Sequence, residues 1–374
     1  MVHMILQTEG AVPGRLLLDV GPAGGSHGAR GIGSYVRGMV ESIAAWPEEQ
    51  QELVWAVGLA GGTLASFRDR GMIAASLAWR PFDAGLVFGR VALGMAARRA
   101  NAKVVHATDP HRPWLPSGVR RIVTVYDLIP LREPAMMASW RPHDRFIYGM
   151  YLKLVAEADA IVAISHATAL DLVERLSVSW DRIHVVYPVV RPGPSLARED
   201  PSEPTFLCVG ALDIHKQPDL AVRALGAFRR THGEGRLRLI GPSTARERSG
   251  VLHLAGQLGV AEHVQIQGRI SDSDLDKAFA SASALLATSR VEGFGLPAVE
   301  AVLRGLPVIA VDISATRETL TGAATLTQSD PEAIAAAMGA PSAPNAAVVA
   351  VLRDRFSPGA AGEALWAAYE RFLV

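Results

Sequence analysis

The sequence predicts an α/β protein of two similar domains, each a parallel sheet with helices on both faces. Three observations lead there. A chain of 374 residues exceeds what one hydrophobic core comfortably serves. Short apolar runs alternate with stretches of helical spacing along its whole length, the pattern of a parallel sheet. The alternation also starts afresh after Arg191–Pro204, a segment with four prolines, several charges and few apolar residues that reads as an interdomain connector.

In the first half, Arg15–Val20 reads as the opening strand. A glycine-rich loop, Gly21–Gly33, follows, with a helix expected from about Ser34. A glycine-rich turn between a first strand and a first helix is a usual place for phosphate or sugar to meet backbone, which makes Gly31 and Gly33 candidate binding residues. It is not a P-loop, since no Gly-Lys-Ser/Thr follows, and Gly31-x-Gly33 lacks the third glycine of a dinucleotide fingerprint. A plain connector is the competing reading. Leu53–Val57, Val104–Ala107, Arg121–Asp127 and Ala160–Ser165 read as further strands. Helical stretches are expected near Ala65–Arg70 and over Leu86–Arg99, and Ser165 is placed to cap a helix over His166–Leu176. Met136–Lys153, rich in Met, Trp, Arg and Tyr, is expected to cover an acceptor. Ile183–Pro188 closes the domain.

Between Gly85 and Arg121 there are seven basic residues and one acidic one. Arg90, Arg98, Arg99 and Lys103 lie among apolar Leu86, Val87, Phe88 and Leu93. That composition suits peripheral contact with an anionic membrane face or a lipid-diphosphate acceptor. It equally suits a helix packed on the sheet with its arginines in water.

In the second half, Thr205–Gly210 reads as a strand, Ala211–Gln217 as a loop and Pro218–Arg230 as a helix. Strands are expected over Leu237–Ile240, Val264–Gln267, Ala284–Thr288 and Val308–Val311. Asp272-Ser273-Asp274 has the form of a metal-binding D-x-D, but Ser271 with Asp274 is also a capping box at a helix's positive end. The capping reading is preferred, and no metal or other cofactor is expected. Asp312–Arg317 reads as a loop with a helix from Glu318, and 361–374 has helical apolar spacing through Leu365, Trp366, Tyr369 and Phe372.

Composition narrows the function. Hydrophobic residues at 49% and charged ones at 20% describe a globular chain. Lysine plus arginine balances aspartate plus glutamate at 37 each, so charge does not argue for nucleic acid. Cys208 is the single cysteine, which leaves no internal disulfide and fits a reducing cytoplasm. No basic n-region with an apolar run opens the chain, and no run of about 18 apolar residues occurs. A cytoplasmic protein, soluble or peripheral on the inner face of the membrane, is expected; oligomeric state is not legible.

The most informative stretch is Ser289-Arg290-Val291-Glu292-Gly293-Phe294-Gly295-Leu296-Pro297-Ala298-Val299-Glu300. A short buried strand leads into a glycine turn, and Pro297 then opens a helix that stops near Gly305. Glycines let a ligand approach the backbone, and the amides of the helix's first turn attract an anion. Glu292 and Glu300 bracket that spot. Carboxylates repel phosphate but accept from hydroxyls, so the ligand that suits all these groups carries both: a nucleotide sugar. Two solvated glutamates on a helix face are the plainer alternative.

Glu292 through Glu300 resembles the E-x7-E signature of retaining glycosyltransferase family 4 (glycosyl transferases group 1). Gly305-Leu306-Pro307-Val308-Ile309 and Glu318 fit the same family. The resemblance implies a GT-B fold, two Rossmann-like domains with parallel sheets facing a central cleft. It implies an acceptor-binding domain over residues 1–190, a linker over 191–204 and a donor-binding domain over 205–357, with a last helix of about 358–374 returning to the first. Tyr126 and Asp127 lie in a segment similar to the family's T-x-H-D-L-x-P strand end, where Tyr126 replaces a histidine. Tyrosine can hydrogen-bond a hydroxyl but cannot shuttle a proton near neutral pH. Gly210 begins a segment similar to the family's V-G-x-L-x-x-R-K. Lys216 matches its lysine, His215 replaces the arginine, and Ala211 stands where many members carry another arginine. Diphosphate binding is therefore expected to lean on Lys216 as a point charge and on the helix start at Leu296–Ala298.

What the resemblance implies is a metal-independent enzyme transferring a sugar from a nucleoside diphosphate donor to a glycan, lipid-linked or small-molecule acceptor. Glu300 would receive the ribose hydroxyls, and Glu292 with the amides of Phe294, Gly295 and Leu296 would hold the sugar. Residues 105–110 and 126–131 look most like mannosyltransferases of polysaccharide biosynthesis, so GDP-mannose is the first donor expected. UDP-glucose, UDP-N-acetylglucosamine or dTDP-rhamnose would keep the same fold. The departures at Tyr126, Ala211 and His215 also admit a non-catalytic nucleotide-sugar-binding subunit.

Overall fold

The computed structural model describes residues 4–5, 16–24, 31–59, 73–77, 93–94, 96–98, 100–108, 117–194 and 201–373. The stretch Ala65–Arg70, residues 86–92 and residues 25–30 of the glycine-rich loop lie outside the described residues. The chain forms two compact units: residues 1–131, 137–189 and 356–374 make the first, residues 132–136 and 190–355 the second.

The first unit holds an eight-stranded sheet. Its strands are β1 (Met4–Ile5), β2 (Leu16–Asp19), β3 (Val54–Leu59), β4 (Ile73–Leu77), β5 (Val104–Ala107), β6 (Arg120–Val125), β7 (Ala160–Ala163) and β8 (Ile183–Val185). They lie in the order β1-β4-β3-β2-β5-β6-β7-β8, and only the β1–β4 pair is antiparallel. Every residue of β5 and β7 is buried, as expected where helices cover both faces of a parallel sheet. β4 escapes a reading of the sequence because Ala74, Ala75 and Ser76 give it almost no apolar signal. The order reverses between β2 and β5, which is a topological switch point, and Thr108 Oγ1 donates to Asp19 O (2.6 Å) across it.

Helix α1 (Gly31–Ala44) begins three residues earlier than the sequence suggests. Gly31 and Gly33 are thus first-turn helical residues rather than loop residues, and Gly33 is buried. The cause is tertiary. Tyr35, Val36, Met39, Val40 and Ile43 bury one face of the helix, and that burial outweighs glycine's deficit of about 1 kcal/mol. The described part of the expected helix over Leu86–Arg99 packs Leu93, Ala96 and Ala97 against Leu17 and Val105, while Arg98 is exposed. That is the packed-helix arrangement. Helices α2 (Pro142–Ala156) and α3 (His166–Leu176) follow, with Ser165 Oγ accepting from Thr168 N (2.9 Å) to cap α3.

The second unit is a six-stranded, wholly parallel sheet. β9 (Thr205–Val209), β10 (Arg236–Ile240), β11 (Val264–Gln267), β12 (Ala284–Ala287), β13 (Val308–Val311) and β14 (Thr325–Thr327) lie in the order β11-β10-β9-β12-β13-β14. Here the order reverses between β9 and β12. The helices are α4 (Pro218–His232), α5 (Ala245–Gln257), α6 (Asp272–Ala280), α7 (Leu296–Leu303), α8 (Ser314–Leu320), α9 (Pro331–Met338) and α10 (Ala346–Arg355). Ser271 Oγ accepts from Asp274 N (3.1 Å) and donates to Asp274 Oδ2 (2.7 Å), so this serine does cap α6. α8 starts at Ser314 and not at Glu318, because Thr316 Oγ1 turns back to accept from Ile313 N (3.0 Å) and stabilises an earlier first turn.

The last helix, α11 (Pro358–Leu373), belongs to the first unit. Trp46 Nε1 donates to Gly362 O (3.1 Å), and Trp46 meets Trp366 edge-to-face at 5.3 Å. Tyr369 is fully buried, with its hydroxyl 2.5 Å from His106 Nδ1, and His106 Nε2 lies 2.8 Å from Thr124 Oγ1. Burial pushes the His106 imidazole down to about 3, so it stays neutral inside the core.

Candidate functional site

Ligands of open α/β sheets gather outside the carboxyl ends of the strands where the order reverses. In the second unit those are the ends of β9 and β12. β9 leads to Gly210 (φ +146°) and then to a 3₁₀ turn over Ile214–Lys216, from which Gln217 (φ +49°) enters α4. Gly210 is held by its amide donating to Ile240 O (2.9 Å). A side chain on neighbouring Gly241 would place its Cβ 1.9 Å from Gly210 O, so this approach of the β9 and β10 ends requires glycine.

The loop after β12 is stitched to the one after β9. Thr288 Oγ1 donates to Lys216 O (2.8 Å), and Arg290 N donates to His215 O (2.8 Å). These bonds bring two predicted residues together: the Lys216 ammonium is in direct ion pair with Glu292 Oε1, which also accepts from Ser289 Oγ (2.7 Å). Their side chains are 25% and 14% exposed, so the pair is largely shielded yet reachable. Gly210, Lys216, Ser289, Glu292, Gly295 and Pro297 line one pocket.

Helix α7 rises from Gly295, whose φ of +85° takes the left-handed conformation that glycine tolerates, with Pro297 in the first turn. Ala298 N already donates to Gly295 O (3.0 Å), so this amide is committed within the turn. Phe294 puts its ring into the core, 2% exposed, and its carbonyl accepts from Thr319 Oγ1 (3.3 Å). Any part it plays at a ligand is through its backbone.

Glu300 lies on α7, mostly buried. Burial raises its carboxyl above the usual range; Arg304 opposes the shift, and Asp276 and Asp272 add to it. Arg304 itself is clamped, Nη2 to Asp276 Oδ1 at 2.7 Å and Nη1 to Glu300 O at 3.1 Å. His215 is 7% exposed, and its Nδ1 has no partner among the described residues. Burial lowers its imidazole and Lys216 adds to the effect, while Glu292, Asp213 and Glu133 pull the other way. A neutral ring offers one donor and one acceptor nitrogen, and the unpartnered Nδ1 is the buried one.

Tyr126 and Asp127 sit in the first unit, at the end of β6. The Tyr126 hydroxyl donates to Thr108 O (2.8 Å), and its ring meets Tyr35 edge-to-face at 5.5 Å. Asp127 Oδ1 accepts from Ile129 N (3.1 Å), the capping role open to any aspartate at a strand end. Gly31 and Gly33 are in α1, as described. Sequence reasoning assigned no role to Ser289, Thr288 or the Arg290–Glu133 pair. Arg290 Nε and Nη2 reach Glu133 Oε1 and Oε2, each at 2.7 Å. Only the fold brings Glu133 to residue 290, so no spacing could have signalled it.

No helix among the described residues is long and apolar enough to cross a membrane, and none of their His, Cys, Asp and Glu side chains cluster as a metal site.

The family model of Glycosyltransferase Family 4 matches residues 31–193, and that of Glycosyl transferases group 1 matches residues 197–339. The chain belongs to glycosyltransferase family 4. A D-inositol 3-phosphate glycosyltransferase of Nocardia farcinica is 33% identical over 189 residues, 46% of this chain and 42% of the relative. The chain thus matches less than half the length of that curated relative. Among solved structures, a glycosyltransferase of Rickettsia africae superposes with a TM-score of 0.66 at 17% identity, covering 97% of this chain and 99% of its own. An Anabaena protein crystallised with UDP and glucose gives 0.61 at 14% identity, covering 96% and 95%. Likeness at these identities speaks for the fold, and the fold is GT-B, with two Rossmann-like units each built on a parallel sheet.

Proposed function

We propose that this family 4 member transfers a hexose from a nucleoside diphosphate to an acceptor hydroxyl, with retention at the anomeric carbon and without a metal ion. The supporting observation is the Lys216–Glu292 pair at the switch point, beside the glycine-led start of α7. In this reading the Lys216 ammonium and the positive end of the α7 dipole face the diphosphate, whose negative charge grows as the glycosidic bond breaks. Glu292, oriented by Ser289, accepts from sugar hydroxyls, with the Gly295 and Leu296 amides alongside. Glu300 accepts from the ribose hydroxyls, and His215 offers a single hydrogen bond where an arginine would give a fork. No protein nucleophile is assigned. The acceptor oxygen bonds to the anomeric carbon on the face the phosphate leaves, and a phosphate oxygen takes the acceptor's proton.

In this reading the second unit binds the donor and the first unit binds the acceptor, near Tyr126 and Asp127. GDP-mannose is the donor favoured by residues 105–110 and 126–131. UDP-glucose is the second reading, favoured by the Anabaena structure's UDP and glucose. The name of the Nocardia relative points to a phosphorylated polyol as the first acceptor to try.

The test is release of free nucleoside diphosphate over time from GDP-mannose, UDP-glucose, UDP-N-acetylglucosamine and dTDP-rhamnose, with D-inositol 3-phosphate and simple glycans as acceptors. Acceptor-dependent release that Lys216→Ala cuts by about two to four orders of magnitude supports the assignment. Tight nucleotide-sugar binding with no release under any combination would make the chain a binding subunit instead.

A further inference from the structure

A second cavity lies in the first unit, at the opposite edge of its sheet from Tyr126 and Asp127. It has a volume of about 680 Å³, within the range of small-molecule sites. Its cations come from the amino-terminal ends of successive strands and from the last turn of α11. Lys103 precedes β5, Arg120 opens β6, Arg182 precedes β8, and Arg371 is on α11. Asp159 and Asp181 are the carboxylates that line it.

How these charges are held decides what the cavity can take. Arg371 Nη1 donates to Asp181 O (3.0 Å) and Nη2 to Asp159 O (3.1 Å). Arg182 Nη2 donates to Ala156 O (2.8 Å) and to Ala158 O. Backbone carbonyls fix both guanidinium groups without neutralising them. Asp159 is spent locally, Oδ1 accepting from Arg120 Nη1 (2.7 Å) and Oδ2 from Arg121 N (2.8 Å). The ammonium of Lys103 is exposed and has no partner among the described residues. Set against Asp181, the three cations Lys103, Arg182 and Arg371 leave two positive charges uncompensated. The partial negative charge at the carboxyl end of α11 takes up part of this excess and leaves the cavity net positive. The Phe372 ring, 4.7 Å under the Arg371 guanidinium, gives the cavity one apolar wall.

We propose that this cavity is a binding site for a phosphate-bearing small molecule, separate from the nucleotide-sugar site. Two uncompensated charges match a phosphate monoester dianion. Arginines already fixed by carbonyls lose little freedom when they add a further bond to phosphate oxygens. The space beyond the phosphate, walled by Phe372, admits an organic body. Binding would tie the end of α11 to the strand edge.

Inorganic phosphate is the probe, titrated calorimetrically into the full chain carrying Lys216→Ala, which removes the main cation of the other anion site. Saturable one-to-one binding is expected. It should weaken about tenfold with Lys103→Ala, the scale of one charge-assisted hydrogen bond, and vanish with Lys103→Glu. The Lys103 side chain makes no structural bond, so both variants fold, and circular dichroism checks that. Vesicles carrying phosphatidic acid distinguish the source of the phosphate. Phosphate binding without vesicle binding assigns a soluble ligand, whereas vesicle binding that phosphate competes away assigns a headgroup. Equal phosphate affinity in the Lys103→Glu variant overturns the proposal, as does the absence of binding at millimolar phosphate. Neither outcome touches the sugar-transfer assignment, which stands on nucleoside diphosphate release.

Discussion

Replacing Glu292 by glutamine separates two roles that the ion pair combines. Glu292 Oε1 holds both the Lys216 ammonium and the Ser289 hydroxyl. A diphosphate that engages Lys216 must draw it from Glu292, and the carboxylate then needs other donors. A nucleotide sugar supplies them as sugar hydroxyls; the nucleoside diphosphate product does not. Under the proposed function, the pair is therefore expected to discriminate against product. Fully exposed pairs contribute about 0–1 kcal/mol, and breaking a fully buried one costs about 3–5 kcal/mol. At 25% and 14% exposure this pair falls between, at about 1.5 kcal/mol. Glutamine keeps the volume and an acceptor for Ser289 but frees Lys216. Glu292→Gln is thus expected to bind UDP or GDP about tenfold more tightly while turnover falls by about two to four orders of magnitude. Calorimetry on the free nucleotides and steady-state release assays read the two effects separately. Unchanged or weaker nucleotide binding would refute the competition between carboxylate and diphosphate for Lys216, and near-normal turnover would refute the role of Glu292.

Four further outcomes are expected. Glu300 has a carboxyl raised chiefly by burial, so its contribution favours the fold in acid and is lost as pH rises through the raised value. Glu300→Gln should therefore raise the melting temperature at pH 8 and lose that advantage by pH 4, while nucleotide affinity falls; a variant less stable at pH 8 would contradict this. Tyr369→Phe strips His106 Nδ1 of its hydroxyl partner in a fully buried site, a loss of about 1–3 kcal/mol measurable by urea unfolding at pH 7.5. His106 is depressed to about 3, so its share of stability is present above about pH 6.5 and falls away as pH drops toward 3; His106→Gln should flatten that acid limb. Gly241→Ala puts a Cβ against Gly210 O at a φ of +153° and should destabilise by about 3 kcal/mol or more, with a near-normal melting temperature arguing against the close approach.

The parallel sheets were legible because their strands carry their own signal. Ala160–Ala163 and Val308–Val311 are unbroken apolar runs, and both are strands over those residues. Ser165 and Ser271 announced their helices by capping chemistry, which is local. What was not legible depended on distant partners. β4 reads as a strand only when β3 and β1 lie beside it. α1 extends through two glycines because its buried face holds it. α5 did carry a sign, Thr244 with Glu247 in a reciprocal capping box, but its apolar stripe is too broken to confirm a helix. Asp127 shows the limit for site residues. Its position suits a ligand or a turn alike, and only the structure reveals that Oδ1 accepts from Ile129 N.

The proposed function needs Glu292 of the E-x7-E segment and Lys216 as a pair, and the sheet order is what brings them together. Seventy-six positions separate Lys216 from Glu292, too far for any local motif to join them. Parallel pairing sets Phe206 beside Ala284 and Leu207 beside Leu285, so both strands deliver their next residues to the same edge. With no strand intervening, the two loops must share the space above the switch point. Backbone bonds at Lys216 O and His215 O then fix their register to each other. This placement also explains why a histidine at 215 is tolerable. Its carbonyl does the stitching whatever its side chain, so replacing an arginine's fork with an imidazole changes the contacts offered to phosphate while leaving the Lys216–Glu292 geometry in place. His215→Arg should accordingly fold normally and bind nucleoside diphosphates more tightly. A variant that lost the Lys216–Glu292 coupling, seen as no difference between it and its Glu292→Gln double mutant in UDP or GDP affinity, would show that the side chain and not the backbone sets the register.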